Sequence, residues 1–115
     1  MKKVTGEKIL HLNGNANGTE LVLDYSTLRK AVLNVRAVDH EFRKKIISML
    51  LERETMTVTD VYQALNLEQS VASQHLAILR RAGVVKTDRN GKFIQYSLNT
   101  DRLQEINVFV NNLAS

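Results

Sequence analysis

The stretch Val61–Leu98, VYQALNLEQSVASQHLAILRRAGVVKTDRNGKFIQYSL, leaves this chain few ways to fold. A short helical pattern comes first and closes at Asn66-Leu67. Asn66 suits the left-handed backbone that ends a helix, and Leu67 is expected to anchor the turn in the core. A longer helix is expected from Gln69 to Ala82, with Gly83 as its stop. Ala72, Leu76, Leu79 and Ala82 share one of its faces, with Val71 and Ile78 beside them. Steps of three and four residues are the mark of an amphipathic helix. Two strand-like runs follow, hinged on Asn90-Gly91. That dipeptide is the strongest short hairpin signal and predicts a type I′ turn. Along the second run Ile94, Tyr96 and Leu98 are expected to point inward, Gln95 and Ser97 outward.

Helix, turn, helix, hairpin is the order of a winged helix-turn-helix. The predicted fold class is mainly α with a small β-hairpin wing. A helix is expected over 26–38, where Leu28, Ala31, Val32, Val35 and Val38 make one apolar stripe. Asp39 is the expected N-cap of a second helix running to about Arg53, with Phe42, Ile46, Met49 and Leu50 as its core face. Arg43, Lys44 and Lys45 lie mostly on the other side, a run that more often meets water than phosphate. Thr59-Asp60 is expected to cap a third helix ending near Leu65. A last helix spans roughly 100–113, with Leu103, Ile106, Phe109, Val110 and Leu113 as its stripe.

Residues 1–24 form an N-terminal arm or a hairpin, since EKILHLN and TELVLDY are strand-like runs around GNANG. Residues 25–115 then form the winged domain with its flanking helices. The module needs only its middle three helices and the hairpin for a core. The surplus stripes on the first and last helices therefore predict a homodimer interface.

Composition narrows the chemistry. At 115 residues and 43% hydrophobic, the chain is long and apolar enough for one folded domain. It has no Cys, which excludes disulfides, thiol catalysis and thiolate metal sites. No apolar run approaches the ~20 residues of a membrane span, and MKKVTGEKILHLN lacks a signal-peptide core. A soluble cytoplasmic protein is expected. The net charge of +4 is concentrated. Arg80, Arg81, Lys86, Arg89 and Lys92 face Asp88 alone between Gln69 and Lys92, while the rest of the chain is neutral, with 11 basic and 11 acidic residues. A phosphate backbone asks for that kind of clustering in its partner.

The outer face of the helix at 69–82 carries Ser70, Ser73, Gln74, Ala77, Arg80 and Arg81, and no acid occurs from Gln69 to Gly83. A helix that merely faces water usually pairs Glu with Lys at four-residue spacing. Small residues let a helix sink into a major groove, where Gln pairs with adenine and Ala meets a thymine methyl. Arg80 and Arg81 suit phosphates at the groove edge, and the backbone N–H groups at Gln69 and Ser70 suit another. Arg89 and Lys92 make the hairpin tip basic, fit for a minor groove or backbone. Double-stranded DNA is the expected partner; a winged-helix module for protein or RNA is the alternative. Ser73 and His75 are two residues apart on a helix, so they cannot pair as nucleophile and base. No Gly-rich phosphate loop or carboxylate pair is present, so neither a catalytic site nor a cofactor is expected.

The segments Leu67–Leu76, Leu79–Val85, Arg89–Lys92 and Tyr96–Leu98 resemble the ArsR/SmtB family of bacterial transcriptional repressors. The resemblance spans roughly Val38–Leu113. Its most specific part is Gln69-Ser70, Ser73, His75-Leu76, then Leu79 and Ala82-Gly83-Val84-Val85. It implies a homodimer of five or six helices and a wing, bound to a palindromic operator and released by an effector. By that likeness Gln69, Ser70, Ser73, Gln74 and His75 are the DNA contacts. Glu68 replaces the usual Ser cap, and Gln74 stands where relatives are often basic. Metal sensors of the family place Cys-x-Cys in the third helix, where this chain reads Met56-Thr57-Val58-Thr59-Asp60-Val61. Thr is a poor ligand for soft metals. The family's other metal site uses Asp, His and Glu on the last helix; here that helix has Asp101 and Glu105 but no His. His11, His40 and His75 are scattered without ligand spacing. The resemblance thus carries over the DNA-binding role and not the metal, and leaves the effector unassigned.

Overall fold

A computed structural model describes residues 9–12 and 21–115, which fall into two compact units divided between Leu33 and Asn34. In the first, β1 (Ile9–Leu12) pairs antiparallel with β2 (Leu21–Asp24), Ile9 opposite Asp24 and Leu12 opposite Leu21. The expected turn at GNANG lies outside the described residues. Helix α1 (Tyr25–Val38) follows β2 directly. Asp24 Oδ1 accepts from the backbone N–H of Ser26 and Thr27 at 3.0 and 3.3 Å, satisfying orphan donors of the first turn.

The second unit contains the end of α1, then α2 (Glu41–Arg53), α3 (Val58–Leu65), α4 (Gln69–Arg81), β3 (Val85–Asn90), β4 (Phe93–Leu98) and α5 (Thr100–Ala114). One apolar cluster holds it together. Ile46 and Leu50 of α2, Val61 of α3, and Ala72, Leu76 and Leu79 of α4 are all buried, with Val84 and Val85 below them and Ile106 of α5 closing the side. The inward face expected for α4 is therefore the buried one, Ala82 included. Fully burying a Leu or Ile contributes ~1.5–3 kcal/mol, so this cluster dominates the unit's stability.

Met56, just before α3, is buried and exchanges two backbone hydrogen bonds with Tyr96 at 3.0 and 2.8 Å. This bridge ties the root of the hairpin to the start of α3. Between α2 and α3 Glu54 takes φ 71°, ψ −50°, and the Thr55 N–H reaches the Arg53 carbonyl at 2.8 Å. That is a tight γ-turn, a strained conformation for a residue with a Cβ.

Several local features differ from what the residue spacing predicts. The N-cap of α2 is His40, whose Nδ1 accepts from the Phe42 N–H at 3.1 Å. Asp39 instead reaches Lys44 at 3.5 Å. Helix α3 starts earlier than expected, because Thr57 and Asp60 form a reciprocal capping box in place of a cap at Thr59-Asp60. Asn66 is left-handed as expected, at φ 54°, ψ 48°. Leu67, however, is only half-buried; Leu65 packs on the core instead. In the hairpin Asn90 still pairs with Phe93, so the two-residue loop is Gly91-Lys92. Only Gly91 has positive φ there (67°), the pattern of a type II′ turn rather than type I′. Tyr96 and Leu98 pack on the core, but Ile94 is 42% exposed, because the hairpin tip projects past the body it grows from. Phe42 packs on the rings of His40 and His75 rather than in the main cluster.

Candidate nucleic-acid interface

Helices α3 and α4 make the helix-turn-helix. Asn66 turns the chain, and the Leu67 N–H bonds the Tyr62 carbonyl at 2.9 Å, closing the end of α3. Glu68 is the N-cap of α4 and makes no side-chain bond to it. The first turn of α4 is thus uncapped by a side chain, with Glu68, Gln69 and Ser70 all exposed. Ser73, Gln74, Arg80 and Arg81 are also exposed, along the face opposite Ala72, Leu76 and Leu79. Ala77 is half-buried.

The far end of α4 is fixed by its C-terminal chemistry. Gly83 has φ 76°, its N–H bonds the Arg80 carbonyl at 2.9 Å, and the Val84 N–H bonds the Leu79 carbonyl at 2.9 Å. These two bonds form a Schellman motif, which needs a left-handed residue and favours glycine. The motif delivers Val84 and Val85 straight into the core, so β3 springs from the end of α4. The Asn99 N–H bonds the Val84 carbonyl at 2.8 Å and fixes the root of the hairpin from its other strand. At the tip Arg89 and Lys92 are exposed, with Phe93 60% exposed beside them. Lys86 is exposed lower on β3. The basic residues singled out in the sequence therefore reach solvent on two elements joined by one hydrogen-bonded turn.

His75 is different from its neighbours. It is half-buried, its ring 4.7 Å from that of His40 and 5.6 Å from that of Phe42. Its Nδ1 lies 3.1 Å from Nη1 of Arg43. A guanidinium can only donate, so Nδ1 accepts and the ring is neutral, with its proton on Nε2. Desolvation, then the neighbouring His40 and Arg43 charges, hold the His75 pKa below the ordinary histidine value. The charge run places Arg43 on a solvated face, whereas the structure half-buries it in this cluster. Its signal in the sequence was weak, because it sits in a run with two genuinely exposed lysines.

The residues at the family's metal positions do not fit a soft metal. The Thr57 hydroxyl accepts the Asp60 N–H, and Asp60 Oδ2 accepts the Thr57 N–H, so both side chains serve the cap. Asp60 Oδ1 also lies 3.9 Å from Arg53. Glu105 of α5 pairs with Arg102 at 3.2 Å. Among the described residues no three His, Cys, Asp or Glu side chains converge as a metal site, and no helix is long and apolar enough to cross a membrane.

The model of bacterial regulatory proteins of the arsR family matches residues 40–87, from the cap of α2 into β3. The transcriptional repressor PagR of Bacillus anthracis is 33% identical over 84 residues, covering 73% of this chain and 84% of PagR. Its crystal structure superposes with a TM-score of 0.59 at 31% identity, over 77% of this chain and 98% of that one. The transcriptional repressor SdpR of Bacillus subtilis is 40% identical over 70 residues, 61% of this chain and 77% of SdpR. The transcriptional activator HlyU of Vibrio cholerae is 39% identical over 75 residues, 65% of this chain and 68% of HlyU. Matched in sequence and in the winged helix-turn-helix itself, the chain belongs to the arsR family of bacterial regulatory proteins and is a DNA-binding transcriptional regulator.

Proposed function

We propose that the chain is a homodimeric repressor that occupies a palindromic operator in the cytoplasm, without a thiolate metal trigger. The observation that carries this reading is the outer face of α4. It is exposed, small-to-polar at Ser70, Ser73 and Gln74, basic at Arg80 and Arg81, and free of acids throughout. Gln69, Ser70, Ser73 and Gln74 meet base edges and the adjoining backbone, with His75 on the inner side of the same turn. Arg80 and Arg81 meet phosphates, and Arg89 and Lys92 extend the contact from the wing.

Support for the dimer comes from apolar surface left bare on both flanking helices. Leu28, Val32 and Leu33 of α1 are exposed, as are Val108, Phe109, Val110 and Leu113 of α5. A face of that kind is the usual mark of a protein interface. Two copies related by a two-fold axis would set their α4 helices about 34 Å apart, one turn of DNA. On this reading residues 25–115 are the reading and pairing domain, and residues 1–24 are an appended arm or hairpin. Selection of duplexes from a random-sequence pool, with native mass spectrometry of the complex, tests it. The expected result is a palindromic consensus bound by two chains; recovery of no consensus, or of one chain per site, contradicts it.

A further inference from the structure

Arg43 is the one residue of the Arg43-Lys44-Lys45 run that turns away from water. Its Nε donates to the Ala37 carbonyl at 2.6 Å, its Nη2 to the Arg36 carbonyl at 3.3 Å, and its Nη1 to His75 Nδ1 at 3.1 Å. The two carbonyls belong to the last turn of α1, where a cation is favoured; the Arg36 carbonyl also accepts the Asp39 N–H at 3.0 Å, so the guanidinium is its second donor. The third bond lands on α4, one residue from Gln74. A single planar fork thus spans α1, α2 and α4. The rings of His40 and Phe42 hold His75 from beside it.

The apolar seat of α4 fixes which face turns inward but supplies no directional bond to hold that rotation. Ala72, Leu76 and Leu79 pack without directional preference, since apolar burial is non-directional. Base-edge contacts demand placement to about 0.5 Å. A guanidinium fork is directional, and Lys cannot reproduce it.

We propose that Arg43 is the positioning residue of the reading helix: anchored on the Arg36 and Ala37 carbonyls and closed on His75, it sets the rotation of α4 at which Ser73 and Gln74 face the groove. The proposal rests on the reading of α4 as the DNA-reading element. It makes Arg43 act through His75 and not on phosphate, and it makes the neutral Nε2–H form of His75 the working one.

The test uses the full chain, a duplex selected by the wild type from a random pool, and a scrambled duplex of equal length. R43Q and R43K are both expected to lose roughly tenfold to a hundredfold in affinity for the selected duplex, the worth of a hydrogen bond to a charged group. Their affinity for the scrambled duplex and the salt slope of binding stay as in the wild type. R81Q, a phosphate-contact control, lowers both affinities together and reduces the salt slope by about one. Rescue by R43K, or a slope reduced in R43Q, overturns the proposal in favour of a phosphate contact; unchanged binding by R43Q overturns it outright. A wild type that selects no duplex overturns the DNA reading itself. Independently of any variant's folding, imidazole nitrogen NMR of the DNA-free wild type is expected to show His75 protonated on Nε2 alone at neutral pH. A His75 protonated on Nδ1 contradicts the fork.

Discussion

The Arg43 guanidinium donates to His75 Nδ1 over 3.1 Å, joining α2 to α4 across 32 positions of sequence. Desolvation makes protonation of His75 unfavourable, and the charges of His40 and of the donor-only Arg43 add to it.

The sign of the pH dependence follows from that. The folded chain holds the His75 pKa below its ordinary value. As pH falls through the ordinary histidine range, the unfolded chain therefore takes up a proton that the folded chain resists. Stability from this site is complete above that range and is lost as pH falls toward the lower folded value. H75N keeps an acceptor near the Nδ1 position and does not titrate. The melting temperature of the wild type is expected to fall more steeply than that of H75N between about pH 7 and pH 5. Parallel curves would show that His75 is not held neutral by the fold.

Gly83 closes the Schellman motif at φ 76°, and a Cβ there would sit 3.3 Å from Nε of Arg102. Gly83→Ala is expected to cost about 1–2 kcal/mol for the left-handed backbone. Urea denaturation measures it. A cost near zero would mean that the turn can relax and that the angle between α4 and the wing is not fixed by this residue.

The exposed end of α5 offers a clean test of pairing. Ile106 is buried and Leu103 packs on the core, so the helix stays seated if its far end is changed. Phe109→Glu with Leu113→Glu is expected to yield a folded monomer by analytical ultracentrifugation. Losing the tethered second half-site should lower operator affinity about 10²–10⁴-fold. A double variant that remains dimeric moves the interface elsewhere.

Much of this architecture was legible because periodicity reports burial. Ala72, Leu76 and Leu79 are spaced by packing, and the buried face of α4 follows their spacing. What was hidden depends on geometry that spacing does not encode. His40 caps α2 through a ring nitrogen, a role to which Asp39 beside it is better suited by residue type. Thr57 and Thr59 are chemically alike, and only the reciprocal bonds to Asp60 separate them. Ile94 alternates correctly with Tyr96 but lies beyond the end of the body. Arg43 was lost in a charge run because its partners, Arg36, Ala37 and His75, meet only once the helices pack.

Arg89 and Lys92 are exposed at the hairpin tip. Replacing each with Gln is expected to lower the slope of log affinity against log salt by about one per residue. The selected duplex and the scrambled one should weaken alike. An unchanged slope would mean that the tip does not reach DNA.

The most direct measurement of the α4 face compares selected and scrambled duplexes for the wild type and for Ser73→Glu with Gln74→Glu. Both side chains are exposed, so the double variant should keep the wild-type circular dichroism spectrum and melting temperature. The wild type is expected to prefer the selected duplex by roughly 10³-fold or more, and the double variant to lose that preference. A folded double variant that binds the selected duplex as the wild type does would contradict the assignment of α4 as the reading helix.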